Sequence, residues 1–309
     1  MSIIVTGMRT RLAQMTATAL ASQDMDVLGI DSVFVDLDHP NIQCLQIEAN
    51  SQALGDVFAL YAPQTLIHLD QPGEEHERYP EAAERAGQLQ TIELLGLCAS
   101  QGVEHVVLRS STMLYGASPS QPLFVAEDRP LAEIPSGILA DYLAIERFAA
   151  SFVEQKSMAI TIMRCAGLVG SQLGSPLARY LRMTQPPMLS GFAPRIQALH
   201  IQDAALAFAL AAMRPPESSL RVFNVAADTP IPLDMAIRRA GRKPHFLPGI
   251  AFSQAHLAHS LKITQDGSIP FTLDMLRYGG GVATERIKAE LGWMAHFDSA
   301  EAIASLNEE

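Results

Sequence analysis

Two stretches of this chain carry side chains suited to chemistry. Ser110, Ser111, Thr112 and Tyr115 close an apolar run that starts at His105. Beyond a Pro-rich loop, Asp141, Tyr142 and Glu146 sit on a segment with helical spacing, residues 137–148. An apolar run that ends in hydroxyls is where an open α/β sheet places its reactive groups, at the carboxyl edge of the strands. A neutral phenol near a carboxylate serves as acid and base in a proton transfer. Ser111, Thr112, Tyr115, Asp141 and Tyr142 are therefore candidates to line one pocket. The plainer reading, in which Ser110 and Ser111 merely finish a strand, stays open.

Such residues need a scaffold that brings them to one edge, and the flanking pattern supplies it. Apolar runs at residues 2–6, 26–31, 42–47, 65–71, 105–111, 159–170 and 221–226 read as strands. Helical periodicity fills the stretches up to 21, at 88–98, at 137–148 and up to 213. Strand and helix alternate, which predicts an α/β fold: a doubly wound parallel sheet followed by a smaller C-terminal lobe. His68 reads as a packed strand histidine. His200 and Asp203 read as structural, with Asp203 a good helix N-cap by type. Gly279, Gly280 and Gly281 read as a flexible hinge or turn.

Composition narrows the classes. The chain has 309 residues, 48% of them apolar and 18% charged. That suffices for a full core in one large or two interlocked domains. No run of about 18 apolar residues is present, so no transmembrane helix is expected. The start has no basic region ahead of an apolar run, so no signal peptide is expected. Cys44, Cys98 and Cys165 lack metal-ligand spacing and read as core thiols of a reducing cytoplasm, with no metal site. A formal net charge of −11 makes nucleic acid and anionic membrane poor partners. A small-molecule ligand remains, and an anionic one needs local cations. Arg182 and Arg195 are the candidates, against the alternative of solvated arginines.

The stretch from 105 to 146 resembles the extended short-chain dehydrogenase/reductase family, the NAD-dependent epimerase/dehydratase group. Its Ser-Ser-x-x-x-Tyr-Gly is met by Ser110, Ser111, Tyr115 and Gly116, and its Leu-Ala-x-Glu by Leu143, Ala144 and Glu146. The family's Tyr-x-x-x-Lys is absent in either register. One places Ile138 at the Tyr and Tyr142 at the Lys; the other places Tyr142 at the Tyr and Glu146 at the Lys. The resemblance implies Ser111, Tyr142 and Tyr115 as catalytic positions, with Thr112, Arg182 and Arg195 towards the substrate. It implies a Rossmann-type nucleotide-binding domain at 1–170, with 197–228 returning to it, and a substrate lobe over 171–309.

For the cofactor the resemblance implies NAD at Gly7, Arg9, Thr10, Asp31, Glu48 and Leu69. Asp31 lies where the adenosine ribose is held, and it favours NAD over NADP. Thr10 and Ala13 stand where the family has glycines, so Thr10 should project toward the phosphates. Arg9 is placed to offset this by pairing with phosphate. Asp70 replaces a small residue and should repel phosphates, and Gly87 replaces an Asn. Binding of NAD is therefore expected to be weak or lost. A homodimer through helices near 82–101 and 137–155 is also implied. Three functions stay open: a working NAD-dependent enzyme on a nucleotide sugar or related alcohol, an enzyme with altered non-redox chemistry, and a non-catalytic dimeric binding or scaffold protein.

Overall fold

The computed structural model describes residues 2–47, 52–70, 88–134, 138–154, 158–171, 173–217, 219–249 and 271–307. Seven strands form one sheet: β1 (Ile3–Thr6), β2 (Val27–Asp31), β3 (Ile42–Gln46), β4 (Thr65–His68), β5 (His105–Ser111), β6 (Ala159–Cys165) and β7 (Leu220–Val225). Their order is β3-β2-β1-β4-β5-β6-β7, and each neighbouring pair is parallel. The winding reverses between β1 and β4, and the carboxyl ends there part into a crevice. The expected doubly wound sheet is what the chain forms. Strands covered on both faces must be apolar along their whole length, and β1, β2 and β4 are buried at every position.

Helices cover both faces. On one, α1 (Arg11–Ala21) lies beside the later α6 (Ile201–Met213). Ala13, Ala17, Ala204 and Ala205 are buried between Leu12, Leu20 and Phe208, above Val5, Ile67 and Val107. Small side chains allow that close approach. On the other face, α2 (Gln52–Tyr61), α3 (Gln88–Ser100) and α4 (Ile138–Val153) bury Phe58, Leu94 and Ile145 against Ile4, Leu66 and Val106. A further core joins α5 (Pro176–Arg182) to the helices at Leu233–Arg239 and Ser299–Ala304, through Tyr180, Leu233 and Ile303. Among the described residues no helix is long and apolar enough to cross a membrane.

Two local expectations are corrected and a third is narrowed. The sixth run does not continue to residue 170: β6 stops at Cys165, and Gly167–Val169 leaves the sheet to pair with Ala198–His200. The chain bends because Gly167 packs under α5, where a Cβ would lie 2.5 Å from Leu177 Cδ2. Asp203 is not the N-cap of α6. His200 takes that place, accepting from the Gln202 N–H. Asp203 instead accepts from the backbone N–H of His296 and Phe297 at 3.0 and 3.1 Å, and its carbonyl accepts from Trp293 Nε1. It ties residues 293–297 to the start of α6. Of hinge and turn, the glycine run takes the turn: Gly279, at φ 65°, ends the helix Leu273–Tyr278 and backs onto Arg195, where a Cβ would meet backbone atoms at 2.5 Å.

Two imidazoles are packed inside the sheet, as expected for His68. Its Nδ1 lies 2.7 Å from Thr6 Oγ1 and its Nε2 3.1 Å from Thr91 Oγ1. His105 Nε2 lies 2.9 Å from Thr161 Oγ1. Burial pushes both pKa values down to about 4, helped by Arg9 for His68 and by Arg221 for His105. Below the unfolded value of about 6.5, the unfolded chain takes up protons that the folded chain refuses. Stability is therefore full above that pH and is lost as pH falls towards about 4, by about 3 kcal/mol per imidazole. Urea unfolding across this window is expected to show the loss, and His105→Gln to flatten the profile relative to wild type.

Candidate functional site

At the carboxyl ends of β5 and β6 lies a cavity of about 290 Å³. Ser111 and Thr112 bring hydroxyls to it from the end of β5, and Ile138 and Tyr142 line it from the start of α4. Leu177, Phe271 and Met275 form an apolar wall opposite, and Arg109 and Arg195 are its cations. Ser111 is fixed by its own backbone: its Oγ accepts from the Met113 N–H at 3.2 Å, capping the short 3₁₀ turn Thr112–Tyr115. That bond uses Ser111 Oγ as an acceptor, and the residue lines the cavity. Arg195 is held by Gly279 behind it. Asp141, on the same helix, is not part of the lining.

Beneath the cavity runs a buried polar chain. Ser110 Oγ donates to Glu146 at 2.5 Å, and Arg164 pairs with the same carboxylate through Nη2 at 2.6 Å. Arg164 Nη1 donates to the Tyr115 hydroxyl at 2.7 Å, and Tyr115 donates to Asn224 Oδ1 at 2.8 Å. The Arg164 guanidinium also lies over the Tyr115 ring, 5.0 Å from its centroid. Burial raises the Tyr115 pKa, with Arg164 acting against that. The Tyr115 hydroxyl, proposed from sequence as catalytic, is thus committed at both donor and acceptor to the scaffold. Glu146, which stands one turn after Tyr142, turns its charge to Arg164 instead of the phenol.

The switch-point crevice between β1 and β4 holds a second ionic cluster. Gly7, at φ 81°, lets the β1 loop touch the end of β4: a Cβ would lie 2.6 Å from Asp70 N and 2.7 Å from the Leu69 carbonyl carbon. Leu69 therefore offers backbone there, since its side chain is in the core. Thr10 does not project toward the crevice. Its Oγ1 donates to Gly7 O at 2.8 Å and accepts from the Ala13 N–H, capping α1. Arg9 reaches across to two carboxylates, pairing with Asp31 at 2.9 Å and with Asp70. Asp70 is therefore not the lone repelling charge that its sequence context suggests.

Asp31 also accepts from the Arg9 backbone N–H at 2.7 Å, from Val33 N–H at 3.1 Å and from Ser32 Oγ at 3.4 Å. With Arg9 Nη1, three donors converge on Oδ1 and one on Oδ2, and the Asp31 side chain is only 1% exposed. A ribose diol would reach this carboxylate only if Arg9 moved. Pulling Arg9 away would leave two acids uncompensated, and breaking a buried pair costs about 3–5 kcal/mol. The residues as placed therefore do not fit the adenosine end of a dinucleotide.

Arg182 is likewise not available to a ligand: its guanidinium donates to the carbonyls of Leu173 and Gly170, away from the cavity. Glu48 and Gly87 lie outside the described residues. Sequence reasoning missed the wall formed by Leu177, Phe271 and Met275, which local pattern does not mark, and the Glu146–Arg164 pair. A signal for the pair existed: an Arg ending an apolar strand and a Glu on the apolar side of a helix both demand a buried partner.

With fold and site described, the chain can be placed. It belongs to the NAD dependent epimerase/dehydratase family, whose model matches residues 3–226. Uncharacterized proteins of Mycobacterium tuberculosis and Mycobacterium bovis are each 33% identical over 218 residues, 68% of this chain and 56% of theirs. The match thus spans about half the length of those relatives. Among solved structures, UDP-glucose 4-epimerase of Thermotoga maritima with UDP-glucose superposes at a TM-score of 0.75 with 15% identity, covering 100% of this chain and 98% of that one. MoeE5 in complex with UDP-glucuronic acid and NAD gives 0.74 with 19% identity and the same coverage. At such identities the likeness is one of fold.

The ion pair beneath the cavity generates a stability prediction. Glu146→Ala leaves the Arg164 guanidinium buried without its partner and is expected to cost about 3–5 kcal/mol in urea unfolding. Adding Arg164→Met, which removes the stranded charge, should recover most of that loss. Equal destabilisation by the single and double variants would contradict the pairing.

Proposed function

We propose that this chain is an atypical member of its family that acts on a compact molecule in the cavity, by proton transfer without a hydride step. One observation carries the reading. Ile138, one turn before Tyr142, lines the cavity with a side chain that holds no proton, and Glu146, one turn after, is turned away to Arg164. None of the described lining residues is a lysine. Alcohol oxidation coupled to a nicotinamide needs a phenol whose pKa an adjacent ammonium lowers. Here that couple is missing, while two hydroxyls, Ser111 and Tyr142, face one space.

Their roles follow from type and place. Ser111 donates to an oxygen of the ligand, and Tyr142 gives or takes a proton beside it, as in an elimination or isomerisation. Thr112 adds a second hydroxyl, and Arg195 orients an anionic group by charge. The apolar wall excludes water from the reacting bond. A volume at the low end of small-molecule sites favours a ligand without a bulky nucleotide. The runner-up, an NAD-dependent enzyme on a nucleotide sugar, draws its support from the UDP-glucose, UDP-glucuronic acid and NAD bound in the solved structures of similar fold. A homodimer through α3 and α4 is part of the proposal, supported by Leu89, which is 74% exposed on α3. Light scattering should then return twice the mass of one chain, and a single-chain mass would reject it. A reducing cytoplasm is the proposed location, in keeping with three free thiols.

Native mass spectrometry of the purified chain tests the ligand. Leu177→Trp is expected to fill the cavity and to lose a small molecule that wild type retains or binds from a metabolite mixture. Nicotinamide oxidation or reduction by wild type with any sugar nucleotide would overturn the reading.

A further inference from the structure

The crevice between β1 and β4 carries an inference about what the chain refuses. We propose that Arg9 and Asp70 together close the adenosine end of the dinucleotide groove, so that Asp31 is withheld from NAD and NADP alike. The side chains are packed as a unit, with relative exposures of 9% for Arg9, 1% for Asp31 and 14% for Asp70. Arg9 is anchored twice on Asp31, through its backbone N–H at 2.7 Å and through Nη1 at 2.9 Å, and its other nitrogen is held by Asp70. Gly7 presses the loop against the Asp70 backbone, so the groove floor and the ion cluster are set by one contact. The cluster sums to one negative charge, which opposes a pyrophosphate.

Either half alone keeps the groove closed. Without Arg9, Asp31 is free but Asp70 faces the phosphates uncompensated. Without Asp70, Arg9 keeps its two bonds to Asp31. Removing both frees the acid that would hold a ribose and takes away the repelling charge. The two positions therefore act non-additively, as contacting residues do.

Calorimetric titration with NAD and with NADP tests this on four proteins: wild type, Arg9→Ala, Asp70→Ala and the double variant. The double variant is expected to bind one or both dinucleotides at least about tenfold tighter than wild type and than either single variant. Wild-type binding within tenfold of the double variant overturns the inference, and so does binding by none of the four. If the alanine pair fails to fold by circular dichroism, Arg9→Met with Asp70→Asn keeps the side-chain volumes and gives the same readout. The outcome is independent of the cavity's ligand: loss of the proton-transfer reading leaves this closure intact, and failure of the closure leaves the cavity reading to its own test.

Discussion

The site depends on one ion pair that is almost wholly withdrawn from water. Arg164 stands one residue before the end of β6, Glu146 sits on the inner side of α4, and their side chains are 7% and 6% exposed. Neither charge is tolerable there alone. The pair therefore fixes how α4 lies on the sheet, and with it the direction in which Tyr142 faces. Ser110 and Tyr115 attach β5 to the same pair, and Asn224 carries the connection to β7, where it donates to the carbonyls of Val125 and Ala283. Three strand ends, one helix and two loops are registered by a single chain of hydrogen bonds. Ser111 and Thr112 inherit their positions from it.

The same physics acts at the other crevice with a different result. There one guanidinium serves two acids. A lone Asp70 beside Asp31 would be untenable at low exposure, and burial raises the Asp70 pKa while Arg9 works against that rise. Arg9 resolves the conflict by lying between them. The outcome is a crevice whose charges are paired with one another, with one negative charge left over. The cavity under β5 and β6 is arranged the opposite way, with its polar network below the surface and hydroxyls left at the wall.

The sheet was legible in the sequence because buried parallel strands are predominantly apolar, and the seven runs stand out against polar turns even where a His, Thr, Asp or Arg interrupts them. Family membership was legible in Ser110, Ser111, Tyr115 and the Leu143–Glu146 run. What stayed illegible was pairing over distance. In sequence Arg9 reads as a partner for phosphate and Asp70 as a charge that repels it, and only the fold shows that they pair with each other across the crevice. Thr10 looked like an obstruction because its type was visible and its rotamer was not; capping α1 turns it away. Tyr115 matched a motif by position, yet its hydroxyl is bound on both sides. Arg182 shows the same limit, since nothing in its neighbours foretells two carbonyl acceptors. Asp203 was placed in the right element but given the wrong partner, because a clamp on residues near 296 has no local signature.

These particulars bear on one another through the question of where protons and charges can go. A hydride transfer to a nicotinamide leaves an alcohol proton that an ionised phenol takes up, and an adjacent ammonium is what keeps that phenol ionised. In this chain the nearest carboxylate along α4 is held by Arg164, and the nearest candidate phenol besides Tyr142 is held by Arg164 and Asn224. Among the described residues, Glu146 is balanced by Arg164, and Arg9 is shared by Asp31 and Asp70. Toward the cavity stand the hydroxyl-bearing Ser111, Thr112 and Tyr142, with Arg109 and Arg195 as its cations. Glu146 and Tyr115 both match family motifs by position, yet each is engaged by Arg164 within the scaffold. The carboxylate one turn after Tyr142 thus serves the packing of α4 on the sheet and does not act on the phenol.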